Sequence, residues 1–340
     1  MQSDWLIQSL EPRRLLCAVH VEPGDEASMG YSTASAVTES RLSWTGVGRL
    51  PVAREEGAGA SVGGKLYVMG GFINSNFDAT PRVDIFDPAK SRWTRGRDMP
   101  LALTHTATIV TATRVWLFGG YVGADPGPAT AAVLIYNVKT NKWTRGPDMP
   151  APRGAAAAGL AGNTVYVFGG RNKARTTDVK DVYALNLDTN QWSTVARMPN
   201  PRNHLSGAVV DGQVYAIGGQ KNEGERSINL TAVHRYNPKK NRWFAAPDLP
   251  EAQSHTLAST FVYDRKVITV GGESAHNVAT ANTFVFDPYK NEWSVEASLP
   301  KVRRAPQAAL IGSQLFVAGG SVIGAQRDEV YATQNLDDVI

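Results

Sequence analysis

The apolar residues of this chain fall in short runs separated by turn formers. Residues 153–192 show the texture. A small-residue run, GAAAAGLA, leads to a turn at Gly162-Asn163. Val165, Tyr166, Val167 and Phe168 follow and stop at Gly169-Gly170. DVYALNLDTNQW then carries another apolar run, an Asp-Thr-Asn turn and Trp192. Runs of this length, bounded by Gly, Asn and Asp, predict strands joined by hairpin turns. Four strands, a to d in chain order, fit into this one stretch. A lone four-stranded sheet of this size buries too little apolar surface to stand by itself.

The texture repeats. Trp44, Trp93, Trp143, Trp192, Trp243 and Trp293 are spaced 49, 50, 49, 51 and 50 apart. Each is followed by Leu-Pro or Met-Pro, from Leu50-Pro51 to Leu299-Pro300. Glycine pairs recur at Gly70-Gly71, Gly119-Gly120, Gly169-Gly170, Gly218-Gly219, Gly271-Gly272 and Gly319-Gly320. Six copies of three separate marks at one period define a repeat array. Arranged in a ring, the six sheets bury their faces against one another, which predicts an all-β, six-bladed β-propeller.

With its glycine pair ending strand b, its aromatic in strand c, its Trp in strand d and its Pro-x-Arg segment, the chain resembles the kelch family of β-propellers over about residues 41 to 336. The resemblance implies the fold and says little of activity, because propellers host unrelated functions. Trp44 precedes the first glycine pair, and no Trp follows the last one. The chain therefore enters on a d strand and leaves on a c strand. RLSWTGV is expected to pair with the C-terminal strand, complete the last blade and remove two open edges.

Alternating strand direction puts the d–a and b–c loops on one face and the a–b and c–d turns on the other. The turns are short and alike; the b–c loops are long and unlike each other, and unlike loops on a rigid scaffold collect binding residues. Three residues after each proline the d–a loops carry Arg54, Leu103, Arg153, Arg202, Gln253 and Arg303. Two positions further on stand His105, His204 and His255, with Glu56 in the first copy. One reading makes Arg54, Arg153, Arg202 and Arg303 a cationic, hydrogen-bonding ring at the channel mouth, shared with the three histidines and topped by Arg171, Lys173, Arg175 and Arg226 from the b–c loops. Arginine forks suit carboxylates and sulfates. The other reading makes Pro-x-Arg part of the repeat, each Arg tying neighbouring blades together.

Composition narrows the classes. The net charge is +4, with no run of five or six like charges, so a nucleic-acid partner is not expected. No stretch approaches a membrane span. Cys17 is the only cysteine, which excludes an internal disulfide and a cysteine-based metal site. Residues 1–38, small and polar toward their end, are expected to be a flexible targeting or linker segment. Arg13 and Arg14 break any secretory apolar core, yet SLEPRRLLCA resembles the Leu-Glu-Pro-Arg-x-Leu-Leu segment that opens many surface and extracellular proteins of planctomycete bacteria. That implies an extracellular or cell-surface address; a cytoplasmic one, with an inert tail, stays open.

Chemistry comes last. Histidines from blades 2, 4 and 5 are expected to sit too far apart around the mouth to share an ion, so neither a metal nor another cofactor is expected. Copper-radical oxidases related to kelch need a Cys–Tyr crosslink, which Cys17 is not placed to make. No Gly-x-Ser-x-Gly elbow is present. Two readings remain. One is a recognition module that grips an acidic glycan, a sugar acid or an acidic protein segment without chemistry. The other is an enzyme of the sialic-acid mutarotase (N-acetylneuraminate epimerase) type, a six-bladed kelch propeller, for which Glu225 or Glu273 would supply the acid/base beside an arginine-held sugar acid.

Overall fold

A computed structural model describes residues 42–340. The N-terminal segment 1–38, with SLEPRRLLCA and Cys17, lies outside the described residues. Six four-stranded antiparallel sheets follow one another. Blade 3 is typical, with strands a to d at Ala157–Ala161, Thr164–Phe168, Val182–Asn186 and Gln191–Val195. Its registers are unbroken, from Ala157 opposite Phe168 to Asn186 opposite Gln191.

Blade 6 is assembled from both ends of the described chain. Its strands a to c are Gln307–Ile311, Gln314–Ala318 and Glu329–Thr333. The fourth is Trp44–Arg49, paired with Glu329–Thr333 through a bulge between Gly46 and Gly48. The expected closure is therefore observed. Among the described residues no helix is long and apolar enough to cross a membrane.

The core lies between blades. Tyr67 and Val83 of blade 1 pack with Val115, Leu117 and Tyr136 of blade 2. Leu66, Val68 and Phe86 of blade 1 pack on its other side with Phe316, Val330 and Ala332 of blade 6. The tryptophans stitch the same joints. Trp143 Nε1 donates to the Arg97 carbonyl, Trp192 to Pro147, Trp243 to Ala196 and Trp293 to Pro247, each at 2.8–3.0 Å and each four residues beyond the preceding Trp. By that rule Trp93 should find Gly48, which lies in the bulge; its buried Nε1 has no hydrogen-bond partner.

Candidate functional site

Three successive residues of each d–a loop form three rings. The first ring holds Arg54, Leu103, Arg153, Arg202, Gln253 and Arg303. Its carbonyls accept from the second glycine amide of the preceding blade at all six joints, from Gly272 to Arg303 at 2.7 Å to Gly71 to Leu103 at 3.0 Å. This explains the glycine pairs. At Gly169, φ is +66° and a Cβ would come closer than 3.0 Å to the Arg202 carbonyl. Only glycine accepts both conditions.

The first-ring side chains turn away from the mouth, which corrects their expected placement. Arg54, Arg202 and Arg303 are 0%, 0% and 1% exposed. Arg54 pairs with buried Asp84, and Arg303 with Glu329 at 2.8 Å. Arg153 donates to the Tyr183 hydroxyl at 2.7 Å. Arg202 donates to the Ala216 carbonyl at 2.9 Å and meets His234 Nδ1 at 3.2 Å. Every one of these partners belongs to the arginine's own blade. The carbonyl joins neighbouring blades, while the side chain braces its own sheet.

The second ring bridges to the residue after each glycine pair: Glu55 to Phe72, Gly154 to Arg171, Asn203 to Gln220, Ser254 to Glu273 and Arg304 to Ser321. Thr104 pairs likewise with Tyr121. Here Arg304 reaches the channel. Arg304 lies 3.3 Å from Glu273, 3.6 Å from Glu56 and 3.8 Å from Glu55.

The third ring is Glu56, His105, Ala155, His204, His255 and Ala305, all with φ between +45° and +59°. Amide-to-carbonyl bonds pass from one to the next at five of its six joints, from 2.9 Å for His105 to Glu56 up to 3.3 Å for Glu56 to Ala305. Ala155 and Ala305 share the conformation, so the backbone strain belongs to the ring and not to any one side chain.

The histidines meet, contrary to the expectation from blade separation. His204 stacks on His255 with centroids 4.1 Å apart, and His105 meets His204 edge-on at 4.9 Å. The channel is narrow at this radius, and the small Ala155 lets His105 and His204 touch across blade 3. They are also buried rather than solvated, at 6%, 3% and 4% exposure. Burial pushes the imidazoles of His204 and His255 well below the usual histidine range, so both are neutral at pH 7. Burial raises Glu55, and raises Glu273 to about 7, with Arg304 offsetting only part of the desolvation.

Above this floor opens a cavity of about 1130 Å³. Its walls include Arg171, Lys173, Arg175 and Arg226 from the b–c loops, and its floor His105, His204, His255, Glu273 and Arg304. Arg171 is committed to Asp178 at 2.9 Å and Glu223 at 3.3 Å. Arg175 pairs with Asp125 and Glu223 and lies over the Tyr121 ring at 4.2 Å, tying the b–c loops of blades 2, 3 and 4. Lys173 and Arg226 are exposed and pair with no carboxylate among the described residues. Glu225 sits on the turn Gly224–Arg226 but does not line the cavity.

Arg304, Glu55 and His276 were not anticipated. The signal for two of them was present: AREEG and VRRAP carry a charged residue at the second ring position, where the other copies have Thr104, Gly154, Asn203 and Ser254. Closure of the ring makes those two loops neighbours.

The comparisons with known proteins agree with this architecture. The KLHDC2/KLHL20/DRC7 Kelch-repeats domain model matches residues 104–320, and the Kelch motif model matches residues 53–100. Kelch-like protein 25 of Xenopus tropicalis is 33% identical over 94 residues, 28% of this chain and 16% of that protein. Kelch-like protein 35 of Mus musculus is 31% identical over 91 residues, 27% of this chain and 16% of that protein. The matched stretch thus spans about a sixth of each relative's length. The solved structure of YjhT superposes with a TM-score of 0.70 at 16% identity, covering 86% of this chain and 98% of that one, which speaks for the fold alone. With six blades marked by the same Trp and glycine pair, and one family model spanning more than half of its length, the chain belongs to the kelch-repeat family.

Proposed function

We propose that this propeller is a recognition module that takes an acidic ligand into the cavity on its d–a and b–c loop face. The ligand class is a sugar acid or acidic glycan, or an acidic segment of a partner protein. The observation that carries the reading is the pair Lys173 and Arg226, two cavity-lining cations with no carboxylate partner among the described residues. The other wall arginines are already neutralised, so Lys173 and Arg226 supply the unspent positive charge. Exposed single pairs contribute little, about 0–1 kcal/mol each, so affinity depends on several contacts made at once inside the cavity.

A screen of sugar acids and acidic glycans against the purified chain, followed by calorimetry, tests this. Lys173→Ala with Arg226→Ala should weaken binding more than tenfold, and raised salt should weaken it further. Lys239→Ala with Lys240→Ala, on the c–d turn of the opposite face, should leave it unchanged. Equal effects from both pairs, or no acidic ligand at all, would overturn the reading.

One observation favours a second reading, the sugar-acid mutarotase. Glu273 is buried at the cavity floor, 3.3 Å from both Arg304 and His255 Nδ1, so a carboxyl group, a guanidinium and an imidazole meet where a ligand would rest. Such a group can pass a proton to and from a ring oxygen. A bound sugar acid whose anomers interconvert faster with the wild type, and not with Glu273→Gln, would establish it over the first reading.

A further inference from the structure

The third-ring histidines share a second feature. Each Nδ1 is held by the side chain of the residue before it: His105 by Thr104 Oγ1 at 2.8 Å, His204 by Asn203 Oδ1, and His255 by Ser254 Oγ at 2.8 Å. Asn203 Nδ2 is spent on Asp178 and the Asn222 carbonyl, so its Oδ1 must accept and His204 carries its proton on Nδ1. Nε2 then carries the lone pair and is the nitrogen that can ligate. His255 Nδ1 also has Glu273 at 3.3 Å. A ring nitrogen anchored to an oxygen, with the other nitrogen free and a carboxylate behind, is the arrangement that orients metal-ligating imidazoles.

Glu56 completes the set. One ligand atom from each of Glu56, His204 and His255 lies within 4.8 Å of the other two. Glu56 Oε1 is buried and has no hydrogen-bond partner among the described residues; His255 Nε2 lies 3.5 Å away and Arg304 3.6 Å.

We propose that Glu56, His204 and His255 bind one divalent transition-metal ion of the zinc type. Two imidazoles and one glutamate form a recognised zinc ligand set, and a fourth position would open toward the cavity. His105, with Nε2 3.4 Å from Glu56 Oε2, is a positioning residue that orients the carboxylate. The proposal does not depend on the acidic-ligand reading, because its probe is the metal alone.

Chelator-stripped full-length protein is titrated with Zn²⁺ against a chromophoric competitor, and in parallel with Co²⁺, whose visible d–d bands report coordination. One equivalent should bind, with a rise in Tm on Zn²⁺ addition. Glu56→Gln, His204→Gln and His255→Gln should each weaken Zn²⁺ at least 100-fold, and Ser254→Ala about tenfold through the lost anchor. His276→Gln, on the cavity wall outside the set, should bind as the wild type does. Circular dichroism confirms that each variant is folded; if one is not, the wild-type stoichiometry and Co²⁺ bands decide. The absence of stoichiometric metal in the wild type, or unchanged affinity in folded His204→Gln and His255→Gln, would overturn the site.

Discussion

The indole Nε1 of Trp44 donates to the carbonyl of Ala297 across 3.0 Å, joining the first described strand to the end of blade 5, 253 residues further along. Four other blade tryptophans make the same bond to the blade before them; Trp93 alone has no partner, because its acceptor position falls in the bulge of the closing strand. Trp192→Phe should therefore lower the unfolding free energy by about 1 kcal/mol more than Trp93→Phe, the net value of one hydrogen bond. Urea denaturation of both variants measures it. Equal losses would show that the indole bonds do not hold the joints.

The glycine pairs answer to backbone geometry. Gly169→Ala forces a Cβ toward the Arg202 carbonyl at positive φ, whereas Gly162→Ala, on an a–b turn at φ +60°, meets nothing within 4 Å. The first should cost at least about 2 kcal/mol and the second about 1 kcal/mol. A folded Gly169→Ala with wild-type stability would remove the explanation offered for this mark of the repeat.

The two groups of arginine should separate in a stability assay. Arg54 and its partner Asp84 are 0% and 1% exposed, so Arg54→Ala leaves a buried carboxylate with only Arg82 beside it. Breaking such a pair costs about 3–5 kcal/mol. Arg226→Ala, exposed and without a carboxylate partner, should stay within about 0.5 kcal/mol of wild type. Comparable thermal shifts from both would place Arg226 in the scaffold.

Arg175 should govern the order of the cavity wall. It links Asp125 of the blade 2 loop to Glu223 of the blade 4 loop from a position between them. Arg175→Met should speed amide hydrogen exchange in residues 121–128 and 222–227 while leaving strands b and c of those blades unchanged. Unaltered exchange in both loops would mean the wall is held by other contacts.

The propeller was legible because it is written six times. Trp, Leu-Pro or Met-Pro, and the glycine pair each answer to a backbone or packing demand that recurs in every blade, and the missing final Trp disclosed the closure. The site was legible in its loops but not in its depth. Arg171, Arg175 and Arg226 were found on the cavity wall as expected. Arg54, Arg153, Arg202 and Arg303 were not, since which side of a loop-to-strand junction faces the channel depends on the left-handed turn two residues later, and Glu56 and His105 carry no glycine to announce it. The meeting of His105, His204 and His255 depends on channel radius, which residue spacing does not encode; Ala155 and Ala305 were the only hints that large neighbours could close over the small ones.

The ring of left-handed residues holds itself together through peptide groups, not side chains. Its members can therefore be exchanged without dismantling the circle, as Glu, His and Ala already show at equivalent places. The propeller behaves here like a dial with six interchangeable settings at one radius. Ala155 and Ala305 are settings without a functional group. A larger side chain at Ala305 would start from a backbone already bent like that of its neighbours Glu56 and His255, whereas one at Ala155 would have to part His105 from His204, so new chemistry can enter this channel one blade at a time.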